Sequence, residues 1–143
     1  MLAAVARLRE TRDDFEFEVV EGLGYTDYLR VIETADVVID QIYSQSPGMN
    51  ALELMAMGKV VMTGASAVGR SYFPFMSEMP AYDAPPDISD LTRAISDVLD
   101  DRPSWEDRGR RGREYIARNH DRHRVAQSFL DGWVEVIRAK AGQ

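Results

Sequence analysis

The sequence predicts an α/β fold, a Rossmann-like doubly wound parallel sheet with helices on both faces and C-terminal helices that pack across it. Short apolar segments with the composition of buried strands alternate with amphipathic segments of helical periodicity. The chain has 143 residues, of which 45% are hydrophobic, and this length suits one domain with one core. Residues 1–143 are therefore expected to form a single domain without internal repeats.

The first part of the chain is predicted to contain two helices around one strand. Apolar residues recur at helical spacing over residues 2–11, and the acidic pair that follows ends the pattern. Residues 15–20 begin with alternating apolar and acidic side chains and are closed by Gly22, which predicts a strand followed by a turn. Thr26 is a good N-cap for the next helix, which we expect to end near Thr34.

Two further strands flank a short helix in the middle of the chain. Residues 36–40 form a continuous apolar run bracketed by acids, which is typical of a parallel strand buried on both faces. Residues 50–57 have the composition of a compact helix that Gly58 stops, and residues 60–62 form a second apolar strand. This order predicts a right-handed crossover between two parallel strands.

The remainder of the chain is predicted to be loop-rich at first and then helical. Residues 63–86 are rich in glycine and proline, which predicts loops with one short strand near residues 81–82. An amphipathic helix is predicted over residues 88–99, followed by helices over residues 104–118 and 122–139. The tryptophan in each of the last two helices is expected to anchor that helix on the core.

Charge and composition exclude several classes of function. The net charge is −7, from 17 basic and 24 acidic residues, so the field around the molecule disfavours binding to nucleic acid. The chain has no cysteine and only two histidines, which by themselves cannot form a three-ligand metal site. The absence of cysteine and of a signal-peptide pattern predicts a cytoplasmic protein. The arginine-rich residues 102–124 favour a solvated helix surface, with a contact to a membrane or a phosphate as the alternative.

The loop after the strand at residues 36–40 has the residues of a ligand site. In open α/β sheets, ligands bind outside the carboxyl ends of the strands. Gly48 allows the backbone to approach a ligand, and the helix-start amides of Met49 and Asn50 suit a diphosphate. Glu53 follows one turn later, where its carboxylate can accept hydrogen bonds from paired hydroxyls such as those of a ribose. The sequence therefore predicts an anionic or polyhydroxyl ligand here.

Two other features extend this prediction. The next loop, residues 64–71, is rich in small residues, and its Ser66 and Arg70 are candidates to cover a phosphate or a sugar. Glu53 lies in an otherwise apolar helix, and a buried unpaired carboxylate would cost several kcal/mol. We therefore expect Glu53 to have a functional partner.

One stretch of the chain resembles a known signature. Residues 35–41 (ADVVIDQ), Gly48 and residues 51–62 (ALELMAMGKVVM) resemble the donor-binding signature of GT-B-fold glycosyltransferases of the group 1, or family 4, type. In that family an "ADV-V" strand is followed by a glycine-containing loop and an "ALEAMA-GKPV" helix and strand. Residues 25–35 and the C-terminal "REYI" with "HD" are similar to further family segments, so that the resemblance covers nearly the whole chain.

The resemblance implies a domain that binds a nucleotide-sugar donor for transfer of a glycosyl group, of the hexosyl type, to an unknown acceptor without a metal. Glu53 matches the second acid of the family's paired-glutamate motif, which typically holds the donor ribose. The first acid is replaced by Gln45, which can bind a sugar hydroxyl but supplies no negative charge to an oxocarbenium-like transition state. The family's first strand and N-terminal acceptor domain have no counterpart here, so we expect the isolated chain to be inactive.

Two alternatives remain at this stage. Asp40, the Pro-Gly-Met segment that follows it and the strand at residues 60–62 also resemble a receiver-like phosphoacceptor signalling domain, although the spacing between them is too short. A degenerate, non-catalytic GT-B domain that serves in interactions is the second alternative. Binding of UDP or GDP distinguishes the transferase from both.

Overall fold

The sheet at the centre of the molecule has three parallel strands. The computed structural model describes residues 1–141, and its strands are β1 (Val37–Ile39), β2 (Val60–Thr63) and β3 (Tyr82–Asp83), in the order β1-β2-β3. Val38 lies opposite Val61, and Met62 lies opposite Tyr82. The carboxyl ends of the strands therefore lie at one edge, called the C-terminal edge below.

Helices make up most of the described chain. The α-helices are α1 (Leu2–Leu8), α2 (Tyr25–Thr34), α3 (Met49–Ala56), α4 (Ala67–Tyr72), α5 (Ile88–Asp100), α6 (Trp105–Asn119) and α7 (Arg122–Ala141). Short 3-10 helices at Pro74–Met76 and Arg102–Ser104 connect them. Within residues 1–141, no helix combines the length and the apolar character that a membrane span requires.

Two apolar cores lie on opposite faces of the sheet, and β2 contributes to both. Val61 faces the first core, whereas Val60 and Met62 face the second, because successive side chains of a strand point to opposite faces. The first core contains Ile32, Ala51, Leu54, Met55, Ala65, Met76, Met79, Ala81 and Tyr115. The second contains Ala4, Val5, Leu8, Ala84, Leu91, Ile95 and Val98. Helices thus cover both faces, and the predicted α/β fold is confirmed.

Most predicted elements agree with the structure. The helices predicted over residues 88–99, 104–118 and 122–139 correspond to α5, α6 and α7, and the strands predicted at residues 36–40, 60–62 and 81–82 correspond to β1, β2 and β3. Gly58 ends α3 as predicted, with a φ of 82° that favours glycine. The first helix ends at Leu8, earlier than predicted, and continues as a turn.

Three predictions of local structure were wrong. Residues 15–20 form no strand, because they pair with no strand edge in the described chain. Thr26 is not the N-cap of α2, since this helix already begins at Tyr25 and its N-cap is Gly24. The third error is α4, a helix where a loop was predicted. The Ser66 side chain accepts a hydrogen bond from the Gly69 amide and caps this helix. A six-residue helix has too few residues to show an apolar period.

Helices α3 and α6 contact each other through backbone atoms. A Cβ atom built at Gly109 would lie 2.2 Å from the Gly58 carbonyl oxygen, and one at Gly112 would lie 3.2 Å from the Met55 carbonyl oxygen. The glycines of α6 therefore let this helix approach the end of α3 more closely than any other residue would allow.

The last helix contributes nothing to either core. None of the residues of α7 is buried, and the side chain of Trp133 is 64% exposed, so the prediction that it anchors this helix was wrong. Trp105, in contrast, packs against the second core and donates a hydrogen bond to the Val98 carbonyl at 2.9 Å. Large apolar side chains are exposed along α7, namely Val125, Phe129, Leu130, Trp133, Val134, Val136 and Ile137.

Candidate functional site

The amino end of α3 lies at the C-terminal edge of the sheet. Gly48 is its N-cap in extended backbone, and no side chain caps the helix. Its first amides, those of Met49 and Asn50, belong to the turn in which helical N–H groups lack partners within the helix. The side chain of Met49 is 80% exposed, so this turn faces solvent. Such a turn can bind an anion through its N–H groups and the helix dipole.

Glu53 lies one turn further along α3 and is exposed. The expectation that it is buried was wrong, because Ala51, Leu54 and Met55 form the buried face of the helix and Glu53 points away from them. Its carboxylate accepts a short hydrogen bond from the hydroxyl of Tyr25, in the first turn of α2. A carboxylate has about four acceptor positions, so the group can accept further donors beside this one.

A second hydrogen-bonded set joins the end of β1 to the same two helices. The Asn50 amide donates to Asp40 Oδ1 at 2.9 Å and accepts from the Tyr28 hydroxyl at 2.7 Å. The Tyr28 ring stacks on the ring of Tyr25 with centroids 6.5 Å apart. The other carboxylate oxygen of Asp40 is buried and has no partner among the described residues. Asp40 thus retains one acceptor that a further donor can satisfy.

The two tyrosines have altered acidity. The hydrogen bond to Glu53 raises the pKa of Tyr25, since loss of the phenolic proton would place two negative charges side by side. The pKa of Tyr28 is also raised, mainly by burial, which disfavours the phenolate. Both hydroxyls therefore act as hydrogen-bond donors at neutral pH.

Replacing Glu53 with glutamine is expected to lower the pKa of Tyr25 toward its ordinary value, because the carboxylate is the main cause of the rise. The measurement is a pH titration of ring-labelled tyrosine by NMR. Glu106→Gln, on the exposed first turn of α6, is the control and should leave the Tyr25 titration unchanged. Identical Tyr25 titrations in the two variants would mean that Tyr25 and Glu53 are not in contact in solution.

Gln45 and Ser66 connect the two predicted loops. The Ser66 hydroxyl donates to Gln45 Oε1 at 2.6 Å. Behind this contact, Gly69 packs directly on the backbone, since a Cβ atom there would lie 1.9 Å from the Gln45 carbonyl oxygen. The loop after β1 is therefore held against the start of α4, and Gln45 is oriented by Ser66.

Arg70 binds the protein backbone. Its guanidinium group donates to the carbonyl oxygens of four buried residues, at 2.7 to 3.0 Å: Ala65, Met76, Met79 and Ala81. These bonds use four of the five N–H groups of the side chain and fix the loop before β3. A contact between Arg70 and a ligand stays a prediction.

The structure thus brings the predicted residues into two neighbouring groups. Gly48, Met49, Asn50 and Glu53 share the first turns of α3, whereas Gln45 and Ser66 bridge the loops. The site also contains Tyr25, Tyr28 and Asp40, which were not predicted to belong to it. The sequence feature that could have identified the two tyrosines is their separation by three residues, which puts both on one face of a helix.

No metal centre is formed within residues 1–141. The described chain contains no group of three or more His, Cys, Asp or Glu side chains that could hold a metal ion. The unpartnered Asp40 oxygen therefore has no second and third acid beside it.

Comparison with known proteins assigns the family. A family described as glycosyl transferase-like matches residues 4–131. The structure is similar to sucrose-phosphate synthase from Thermosynechococcus elongatus, with a TM-score of 0.58 and 30% sequence identity over 79% of this chain. The chain spans 28% of the length of that synthase. No curated protein sequence matches. The fold is the Rossmann-like fold of GT-B enzymes, and the chain belongs to the glycosyl transferase-like family.

Proposed function

We propose that this chain is the nucleotide-sugar-binding domain of a glycosyltransferase and that the donor binds at the amino end of α3. The observation that carries this proposal is the geometry of one helix. Its uncapped, exposed first turn is followed one turn later by the exposed carboxylate of Glu53. A diphosphate and a ribose are neighbours in a nucleotide sugar, and the two features match them in that order.

Each residue of the site is proposed to bind one part of the donor. The amides of Met49 and Asn50 bind the diphosphate, with the helix dipole in place of a metal ion. Glu53 accepts hydrogen bonds from the ribose hydroxyls, and Tyr25 keeps its carboxylate oriented. Gln45, held by Ser66, has amide N–H groups that can donate to a hydroxyl of the donor sugar.

We propose that transfer of the sugar needs residues from outside this chain. Gln45 is neutral and supplies no charge to an oxocarbenium-like transition state. The exposed apolar face of α7 supports the presence of another domain, because apolar surfaces of this kind usually mark an interface. We propose that this domain binds the acceptor, and that the chain without it binds a donor but transfers no sugar.

The binding test titrates the chain with UDP and with GDP and measures binding by amide NMR and by calorimetry. One of the nucleotides is expected to shift the amide signals of residues 48–53. Glu53→Gln should weaken its binding by about 10-fold or more, because a hydrogen bond to a charged acceptor is worth about 1.5–3 kcal/mol. Glu106→Gln makes the same charge change on the exposed first turn of α6 and should bind normally.

Two outcomes would contradict the proposal. Saturating UDP and GDP that leave both the spectrum and the melting temperature unchanged would favour a non-catalytic interaction domain. Modification of Asp40 by acetyl phosphate with magnesium would favour the receiver-like alternative instead.

A further inference from the structure

The side chain of His120 packs onto the body of the domain just after the end of α6. Its ring is perpendicular to that of Phe75, with centroids 5.8 Å apart, and tilted against that of Tyr115 at 5.6 Å. The Tyr115 hydroxyl donates to the Phe75 carbonyl oxygen at 2.6 Å, which holds these two residues together beside the imidazole. His120 therefore links the end of α6 to the 3-10 helix at Pro74–Met76.

One nitrogen of this imidazole has no hydrogen-bond partner. The Nε2 atom of His120 is buried and is unpaired among residues 1–141. In a neutral imidazole this atom can be the nitrogen that carries no proton. In the charged form both nitrogens carry a proton, and a buried charged N–H group without an acceptor costs free energy. The packed position of His120 therefore suits the neutral ring.

No carboxylate of the described chain offsets the cost of charging this ring. The charged side chains on the elements around His120 are engaged elsewhere: Glu78 pairs with Arg118 at 3.6 Å, Asp121 accepts from the amides of His123 and Arg124, Arg122 lies 3.3 Å from His123, and Arg70 donates to backbone carbonyls. Burial accordingly lowers the pKa of His120, because it disfavours the charged form.

The orientation of α7 depends on the same residue. Only His120 and Asp121 lie between α6 and α7. None of the residues of α7 is buried, and its contact with the Arg118 carbonyl oxygen, through Arg124 at 3.3 Å, is exposed. The Asp121 carboxylate caps α7 itself, whereas the His120 ring packs on the body of the domain. The direction in which α7 leaves α6 is therefore fixed mainly by His120.

We infer that His120 is a pH-sensitive latch, which holds α7 in one orientation while the imidazole is neutral and releases it when the imidazole is protonated. A charged ring is more stable in water than beside two aromatic rings, so it leaves its packed position and the junction loses its constraint. The apolar face of α7 then changes its orientation relative to the sheet. This inference concerns the junction and does not depend on nucleotide binding.

The pH dependence of the latch has a defined direction. Opening takes up a proton, because the packed ring is neutral and the released ring titrates near the ordinary histidine pKa of about 6.5. The closed form is therefore fully favoured above about pH 6.5, and the ratio of open to closed molecules rises by up to about 10-fold for each pH unit below it. This rise ends where the packed ring is itself protonated.

The test measures the distance between α5 and α7 with two spin labels. The chain has no cysteine, so Arg93→Cys and Ser128→Cys introduce unique attachment sites at exposed helix positions. One narrow distance is expected at about pH 8, and a second, broader population should grow as the pH falls to about 5. The pair Arg93→Cys and Arg111→Cys, on α5 and α6, is the control and should keep one narrow distance throughout.

Two variants assign the response to one histidine. His120→Phe keeps an aromatic ring at the junction but cannot be protonated, so its distance between α5 and α7 should not change with pH. His123→Gln removes the exposed neighbouring histidine and should respond as the parent chain does. In the parent chain, protonation of His120 followed by NMR should coincide with growth of the open population, and this comparison needs no variant at position 120.

Four results would overturn the inference. The first is a distance between α5 and α7 that does not change with pH in the parent chain. The second is a pH response that persists in His120→Phe, and the third is one that disappears in His123→Gln. The fourth is equal broadening of the control pair between α5 and α6, which would show that the whole fold is lost rather than the junction.

Discussion

Replacing Arg70 with methionine is expected to lower the free energy of unfolding by about 3 kcal/mol or more, because four backbone carbonyl groups of buried residues lose their donor at once. Methionine keeps the length and the apolar stem of the side chain, so the loss reflects the guanidinium contacts. Urea unfolding followed by circular dichroism measures this change.

Arg93→Met is the matched control for this prediction. Arg93 is an exposed helix residue that pairs with Asp90 at 2.6 Å, and such pairs contribute about 0.5 kcal/mol or less. Arg70→Lys should recover only part of the stability, since an ammonium group cannot reproduce the planar fork of donors. Equal losses for Arg70→Met and Arg93→Met would show that the carbonyl contacts are not formed. Unchanged stability with weaker nucleotide binding would instead support the predicted ligand contact of Arg70.

Gly109→Ala is expected to destabilise the protein by about 1–3 kcal/mol, although alanine is the better helix former. The added methyl group would lie 2.2 Å from the Gly58 carbonyl oxygen. The position of a Cβ atom is fixed by its own backbone and the carbonyl oxygen belongs to the backbone, so neither can rotate away and a helix has to move. Thermal unfolding of the variant measures the loss.

The control is another helix glycine that meets no neighbour. A Cβ atom at Gly132 has nothing within 4 Å, so Gly132→Ala should raise stability by up to about 1 kcal/mol. The opposite signs of the two substitutions test the close approach of α3 and α6. Stabilisation by both alanines would show that these helices are further apart than described.

Helices with a regular apolar period could be predicted from the sequence. For α5, Leu91, Ile95 and Val98 recur at helical spacing, and the Asp87 side chain caps the helix by accepting from two backbone amides. Residues 15–20 also have a strand pattern, but a strand needs a partner, and sequence periodicity contains no information about pairing. Helix α4 depends on contacts with the loop after β1 that are distant in sequence.

The candidate site could be predicted in part. The position of Glu53 one turn into α3 was predicted correctly, but its exposure was not, because an apolar composition does not tell which side of a helix is covered. The contacts of Arg70 could not be predicted from the sequence, since the carbonyl groups that it binds lie on a loop whose path is set by tertiary packing.

The contact of α6 with α3 has a mechanical consequence. Backbone touches backbone where Gly109 meets Gly58, so no layer of adjustable side chains separates the two helices there. Helix α6 is followed after two residues by α7, whose apolar side chains lie open to solvent. If a partner that covers α7 tilts α6, this contact therefore displaces the carboxyl end of α3 and changes the orientation of Glu53.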